Sequence, residues 1–151
     1  MVLLTRFATR TLSQSLLKNK TFQIHSGFIF EDKVSEILEN KGFVPTDITR
    51  INHKEFDLIT IKNNKIYNFQ CKNNYIDISR VNFDYKKIGR FNMRLCKYYE
   101  SALIKEKDRE SLIKEKTKIN DIQHFVISRY PVITRNERII NFADLSEWEE
   151  N

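Results

Sequence analysis

Asp57, Gln70 and Lys72 fall within one stretch, Glu55-Phe-Asp-Leu-Ile-Thr-Ile-Lys-Asn-Asn-Lys-Ile-Tyr-Asn-Phe-Gln-Cys-Lys72. Their side chains can serve one reaction if the chain folds back on itself. A carboxylate, an amide oxygen and an ammonium group side by side suit metal-dependent hydrolysis of a phosphodiester. The hard oxygens can hold Mg²⁺ and leave coordination positions for water and phosphate. The ammonium group can orient the attacking water or offset charge developing on the phosphate oxygens.

The fold-back is written into the same stretch. Two runs rich in β-branched and aromatic residues flank Asn63-Asn64, and Asn tolerates the positive φ that tight hairpin turns require. With Asn63 and Asn64 at the centre of the turn, Lys62 pairs with Lys65, Asp57 lies opposite Gln70, and Glu55 lies opposite Lys72. Alternation then places Glu55, Asp57, Ile59, Asn68, Gln70 and Lys72 on one face. Phe56, Leu58, Thr60, Tyr67, Phe69 and Cys71 take the other face, which reads as core. An ordinary half-exposed hairpin shows the same alternation, so the surrounding elements must decide between the two.

Ser26 caps a helix that runs to about Lys41 and ends at Gly42. Phe30, Val34, Ile37 and Leu38 form its core face. Glu31 sits on the flank of that face, placed to reach a site at the sheet; a first-turn acid favouring the helix dipole is the plainer alternative. Phe43 to about Ile51 reads as a strand bent or interrupted at Pro45. Asn73 to Phe83 reads as a loop. Asp84 to Lys118 is helical, with a stripe of Ile88, Phe91, Leu95, Tyr98/Tyr99, Ala102 and Leu103 and a break in Lys-Glu-Lys-Asp-Arg-Glu-Ser. His124–Arg129 is a short buried-type strand, Ile133 and Ile139–Phe142 form an edge element, and Trp148 covers the edge of the core. The sum is an α/β fold with a mixed sheet flanked by helices.

The chain has 151 residues, of which 40% are hydrophobic and 30% charged, enough for one compact domain over 27–151. Three Gly and two Pro disfavour a turn-dense β sandwich. A net charge of +6 and a pI near 9.3 suit a polyanionic partner, DNA or RNA. Lys86, Lys87, Arg90, Arg94 and Lys97, with Tyr98 and Tyr99 beside them, are the candidate phosphate contacts; a solvated Lys-rich helix face fits equally well. Among the histidines, His53 just ahead of the hairpin reads as a surface residue. Cys71 and Cys96 lack zinc-ligand spacing and are too few for a disulfide framework, which points to a reducing compartment. No apolar run of about 18 residues occurs, so no membrane span is expected. Residues 1–26 are basic, rich in hydroxyl side chains and free of acids. They read as a mitochondrial transit peptide in a eukaryotic chain, or as a retained basic arm. In a bacterial chain the location is cytoplasmic.

Asp57, twelve residues, then Gln70-Cys71-Lys72 resembles the PD-(D/E)xK nuclease signature. Gly27-Phe-Ile-Phe-Glu31, with Val34, Leu38 and Gly42-Phe43 after it, resembles the preceding helix of the Mrr-like and Holliday-junction-resolvase-like branches. Glu55-Phe-Asp57-Leu-Ile resembles their second-strand motif. The match spans about residues 27–73, with the element order agreeing to about 130. The resemblance implies a restriction-endonuclease-like αβββαβ core and a Mg²⁺-dependent endonuclease, with Mn²⁺ as a substitute metal. Restriction, repair or recombination is the implied setting. Glu31 and Asp57 become acidic metal ligands, Gln70 stands where the usual acid would be, and Lys72 becomes the catalytic lysine. Two departures are plain: Gln70 makes this a Gln-x-Lys variant, and Phe56 replaces the proline before Asp57. A homodimer is open. The competing readings are a nucleic-acid-binding protein on the same fold with weak or lost catalysis, and a structural or interaction protein.

Overall fold

The computed structural model describes residues 20–74 and 84–150. The basic segment before Lys20 lies outside them, as does most of the expected loop after Asn74. In chain order the elements are α1 (Lys20–Asn40), β1 (Val44–Pro45), β2 (Arg50–Ile51), β3 (Lys54–Glu55), β4 (Leu58–Lys62), β5 (Lys65–Lys72), α2 (Tyr85–Asp108), α3 (Glu110–Thr117), β6 (Ile122–Ser128) and β7 (Ile139–Asn141). A 3₁₀ turn, Phe142–Asp144, follows. The fold is α/β, with a five-stranded mixed sheet ordered β1-β4-β5-β6-β7. β1, β4 and β5 are antiparallel; β5, β6 and β7 are parallel, and α2 and α3 form the crossover from β5 to β6.

Helices cover both faces of the sheet. On one face α1 inserts Phe30, Val34 and Leu38 against Phe43, Tyr67, Phe69, Phe125 and Ile127, and Trp148 packs on the same cluster. The other face carries two clusters. Leu95 and Tyr99 of α2 meet Val126, Val132 and Ile139, while Ile113 of α3 meets Phe56, Ile59 and Ile66. Strands buried on both sides read as continuous apolar runs, and Phe125–Ile127 at the centre of β6 is such a run. α1 ends in a Schellman motif: Phe43 N–H donates to the Leu38 carbonyl at 3.1 Å and Gly42 N–H to that of Glu39 at 2.9 Å. Gly42 sits at φ +82°, where a side chain would be strained. Asp84 caps α2, its carboxylate accepting from the N–H groups of Lys86 and Lys87.

The hairpin register matches the sequence reading from Leu58↔Phe69 to Lys62↔Lys65. Asn63 and Asn64 both take positive φ, 52° and 59°, as a type I′ turn requires. Asn63→Ala should therefore destabilise the protein by about 1 kcal/mol, the cost of a left-handed residue without a compensating polar side chain, read as a lower urea midpoint.

Several expectations are corrected. Ser26 does not cap α1, which is already helical at Lys20. The expected strand over Phe43–Ile51 is two short pieces: β1 pairs with β4, and β2 turns into β3 through Asn52 and His53, both at positive φ. Glu55 consequently pairs with Arg50, by backbone and by ion pair, and not with Lys72. Phe56 lies ahead of β4 and packs with Ile59 on the face opposite Leu58. The face bearing Asn68 and Gln70 is not solvated; both residues are buried beneath α2 and α3. On α2, Ile88 and Tyr98 are exposed, so the stripe is narrower than its spacing suggests. Ile133 is 86% exposed and belongs to no strand.

Candidate active site at the end of the sheet

β5 is the strand at which the sheet changes from antiparallel to parallel neighbours. In open α/β sheets, ligands bind outside the carboxyl ends of the parallel strands. Lys72 is the last residue of β5, and the candidate residues gather there.

Asp57 stands one residue ahead of β4, beyond the last ladder pair. Its Oδ2 accepts the backbone N–H of Cys71 at 2.8 Å, so the carboxylate closes the hairpin where the ladder stops. Burial raises its pKa, and Lys72, the Cys71 N–H and Arg109 oppose that rise while Glu106 adds to it. Glu31, half-buried on α1, is pushed up to about 7, first by burial and then by the charge of Asp57, with Lys72 acting the other way. Gln70 is buried on β5, and its Oε1 accepts from Lys72 Nζ at 2.8 Å. Glu31, Asp57 and Lys72 thus share one electrostatic environment, and Gln70 is tied to it through Lys72. Cys71, between them, is buried enough that its thiol is raised well above the ordinary range, which makes it a poor nucleophile.

The donor set fits a hard divalent cation in kind: two carboxylates and one amide oxygen. Burial raises both carboxylates and the charge of Asp57 adds to the rise on Glu31, a cost that a cation would relieve. It is a sparse set. Among the described residues, no three His, Cys, Asp or Glu side chains stand close enough to hold a metal ion, so water and substrate oxygens must complete any coordination shell.

Lys86, Lys87, Arg90, Arg94 and Lys97 are all exposed on α2. Lys86, Arg90, Arg94 and Lys97 recur at helical spacing and form one basic stripe. The helix that carries them packs over the sheet face from which Gln70 and Lys72 project.

Sequence reasoning missed a polar network beneath that helix. Asn68 Nδ2 donates to Glu106 Oε2 at 2.8 Å and lies 3.1 Å from His124 Nδ1; His124 Nε2 lies 3.2 Å from Glu110 Oε2. Arg109 pairs with the other Glu106 oxygen and stacks over the Phe56 ring, 4.8 Å from its centroid. Since Asn68 presents its amide N–H₂ to the imidazole, Nδ1 must accept and Nε2–H must donate to Glu110, which fixes His124 as the neutral Nε2–H tautomer. One signal existed: Glu106 continues the buried stripe of Leu95 and Tyr99, and a charge on an apolar stripe calls for a buried partner.

This network gives a pH prediction. Burial lowers the His124 pKa despite the nearby Glu110. The unfolded chain therefore binds the proton more readily than the folded one. His124's contribution is fully present above the unfolded value near pH 6.5 and is lost as pH falls below it. Glu31, raised in the folded state, acts in the opposite sense. Urea unfolding between about pH 7 and pH 5 should show acidification costing the wild type more stability, or gaining it less, than it does His124→Gln; equal slopes would remove His124 as the cause.

Among the described residues, no helix is long and apolar enough to cross a membrane. Compared with protein-family models, curated proteins and solved structures, the chain gives no match.

Proposed function

We propose that this protein is a Mg²⁺-dependent endonuclease that hydrolyses phosphodiester bonds in DNA, on a restriction-endonuclease-like core of the PD-(D/E)xK kind. One observation carries the reading: α1 and the two arms of the hairpin bring Glu31, Asp57 and Lys72 to the end of β5, where Lys72 lowers the pKa of both acids and the charge of Asp57 raises that of Glu31. The order helix, strand, hairpin, helical crossover, strand supports it, as does the basic stripe on α2.

Glu31, Asp57 and the Gln70 amide oxygen would hold the cation. Bound Mg²⁺ supplies Lewis acidity towards a phosphate oxygen and lowers the pKa of a coordinated water. Lys72 uses one of its three N–H donors on Gln70, leaving two to orient the attacking water or to meet negative charge on the phosphate. The α2 stripe binds the flanking phosphates without reading sequence.

A second reading has its own support. The Gln70 oxygen is engaged by Lys72, and among the described residues no three acidic, His or Cys side chains cluster closely enough to hold a metal, which would suit a nucleic-acid-binding protein whose catalysis is weak or lost. Incubation with circular and branched DNA, in Mg²⁺ or in EDTA, separates the readings. Mg²⁺-dependent cutting supports the nuclease, and salt-dependent binding without cutting supports the binding module. Neither binding nor cutting would leave a structural or interaction role.

A further inference from the structure

At the ends of β5 and β6, next to the candidate active site, stands a cluster that the proposed chemistry does not use. Arg129 follows β6 directly, and its backbone N–H donates to the Lys72 carbonyl at 3.0 Å. Its Nη1 donates to Ser26 Oγ at 2.8 Å and to Asn73 Oδ1 at 2.9 Å, while Asn73 Nδ2 donates to the same Ser26 oxygen at 2.9 Å. The guanidinium carbon lies 5.8 Å from the centre of the Phe30 ring, the residue before Glu31. Three segments therefore meet at one cation: α1, the residue after β5, and the residue after β6.

Ser26 and Asn73 are neutral, so the guanidinium charge has no acid among these partners. Both hydrogens of Nη1 are used. The Nε–H and Nη2 edge has no hydrogen-bond partner among the described residues, and Arg129 is exposed. That edge presents two parallel N–H donors, the geometry that matches a phosphate in a bidentate pair. Tethering Nη1 also fixes the side chain beforehand, which removes much of the entropy a free arginine would lose on binding.

We propose that Arg129, held by Ser26 and Asn73, is a phosphate-binding residue that grips the backbone of the nucleic-acid strand next to the phosphate placed at Asp57 and Lys72. This inference rests on the nucleic-acid reading of the site and adds the residue that sets the strand's position across the end of the sheet. Arg129 is one peptide link from Ser128, the parallel partner of Lys72, so a phosphate on its free edge neighbours the one under attack.

The test measures binding of a short labelled DNA duplex over a range of salt, with Ca²⁺ replacing Mg²⁺ to suppress cutting. Arg129→Gln should weaken binding about tenfold, as expected for loss of a charge-assisted pair. It should also reduce the slope of log K against log salt by about 0.9, the value for one lost phosphate contact on duplex DNA. Ser26→Ala combined with Asn73→Ala keeps the charge but frees the side chain; it should weaken binding with the slope unchanged. In Mg²⁺, Arg129→Gln should raise KM for cleavage more than it lowers kcat. Wild-type affinity and slope in Arg129→Gln, with a wild type that binds, would overturn the inference alone. A wild type showing no salt-dependent binding would overturn the nucleic-acid reading together with it. Thermal unfolding of each variant checks that the fold is retained, and the doubly substituted chain gives a second reading of the same contact if Arg129→Gln fails to fold.

Discussion

Lys72→Ala should reduce Mg²⁺-dependent cleavage by at least about 10²-fold, the loss typical when one preorganised donor to developing charge is removed. DNA binding should fall far less, because the α2 stripe and Arg129 remain. The physical ground is the position of Nζ. It is 2.8 Å from the Gln70 oxygen and close enough to Glu31 and Asp57 to lower both, so it stands beside the oxygens that would hold the cation. The variant should fold, since Lys72 is the last residue of its strand and only partly buried. Single-turnover cleavage and equilibrium binding on the same duplex make the comparison. Equal losses in both would make Lys72 a binding residue and count against its catalytic role.

Arg109→Ala should have the largest effect on stability. Glu106 is 1% exposed, and its partners are Arg109 and Asn68. Removing the guanidinium leaves a buried carboxylate with one neutral donor. Breaking a buried pair in this way typically costs about 3–5 kcal/mol, and the partial exposure of Arg109 places the expectation at about 3. That is a large share of the roughly 5–15 kcal/mol that holds most domains folded. The stacking on Phe56 is lost as well. Arg109→Met together with Glu106→Gln should recover most of the loss, because the neutral amide still accepts from Asn68 and no charge is stranded. Urea unfolding of the three proteins decides it. A consequence reaches the site: Arg109 lowers the Asp57 pKa and Glu106 raises it, so in Arg109→Ala residual cleavage should move to higher pH.

The hairpin was readable because two signals agreed: paired Asn residues at the turn and alternation along both arms. The neighbouring hairpin was not, because Asn52-His53 is a weaker turn signature in a chain rich in Asn, although His is among the few residue types that adopt positive φ with some frequency. That unread turn took Glu55 away from Lys72 and turned Phe56 to the other face. The burial of Asn68 and Gln70 was illegible for a different reason. Polar residues alternating on a strand look solvated until the helices that cover them are placed, and the partners that make the burial of Asn68 tolerable, Glu106 and His124, lie far along the chain. Ser26 misled in the same way: a serine before an apolar run looks like a cap, but its hydroxyl serves Asn73 and Arg129, far away in sequence. The positions of Asp57 and Gln70 could be inferred from local register, whereas Arg109 and Arg129 depend on how the crossover returns.

The most direct measurement is anomalous diffraction from crystals of the full chain soaked in Mn²⁺. A peak is expected about 2.1 Å from carboxylate oxygens of Glu31 and Asp57, with the Gln70 amide oxygen turned to it and Lys72 Nζ beside the shell. A peak elsewhere, or none at this site at a concentration that supports cleavage, would contradict the proposed metal site.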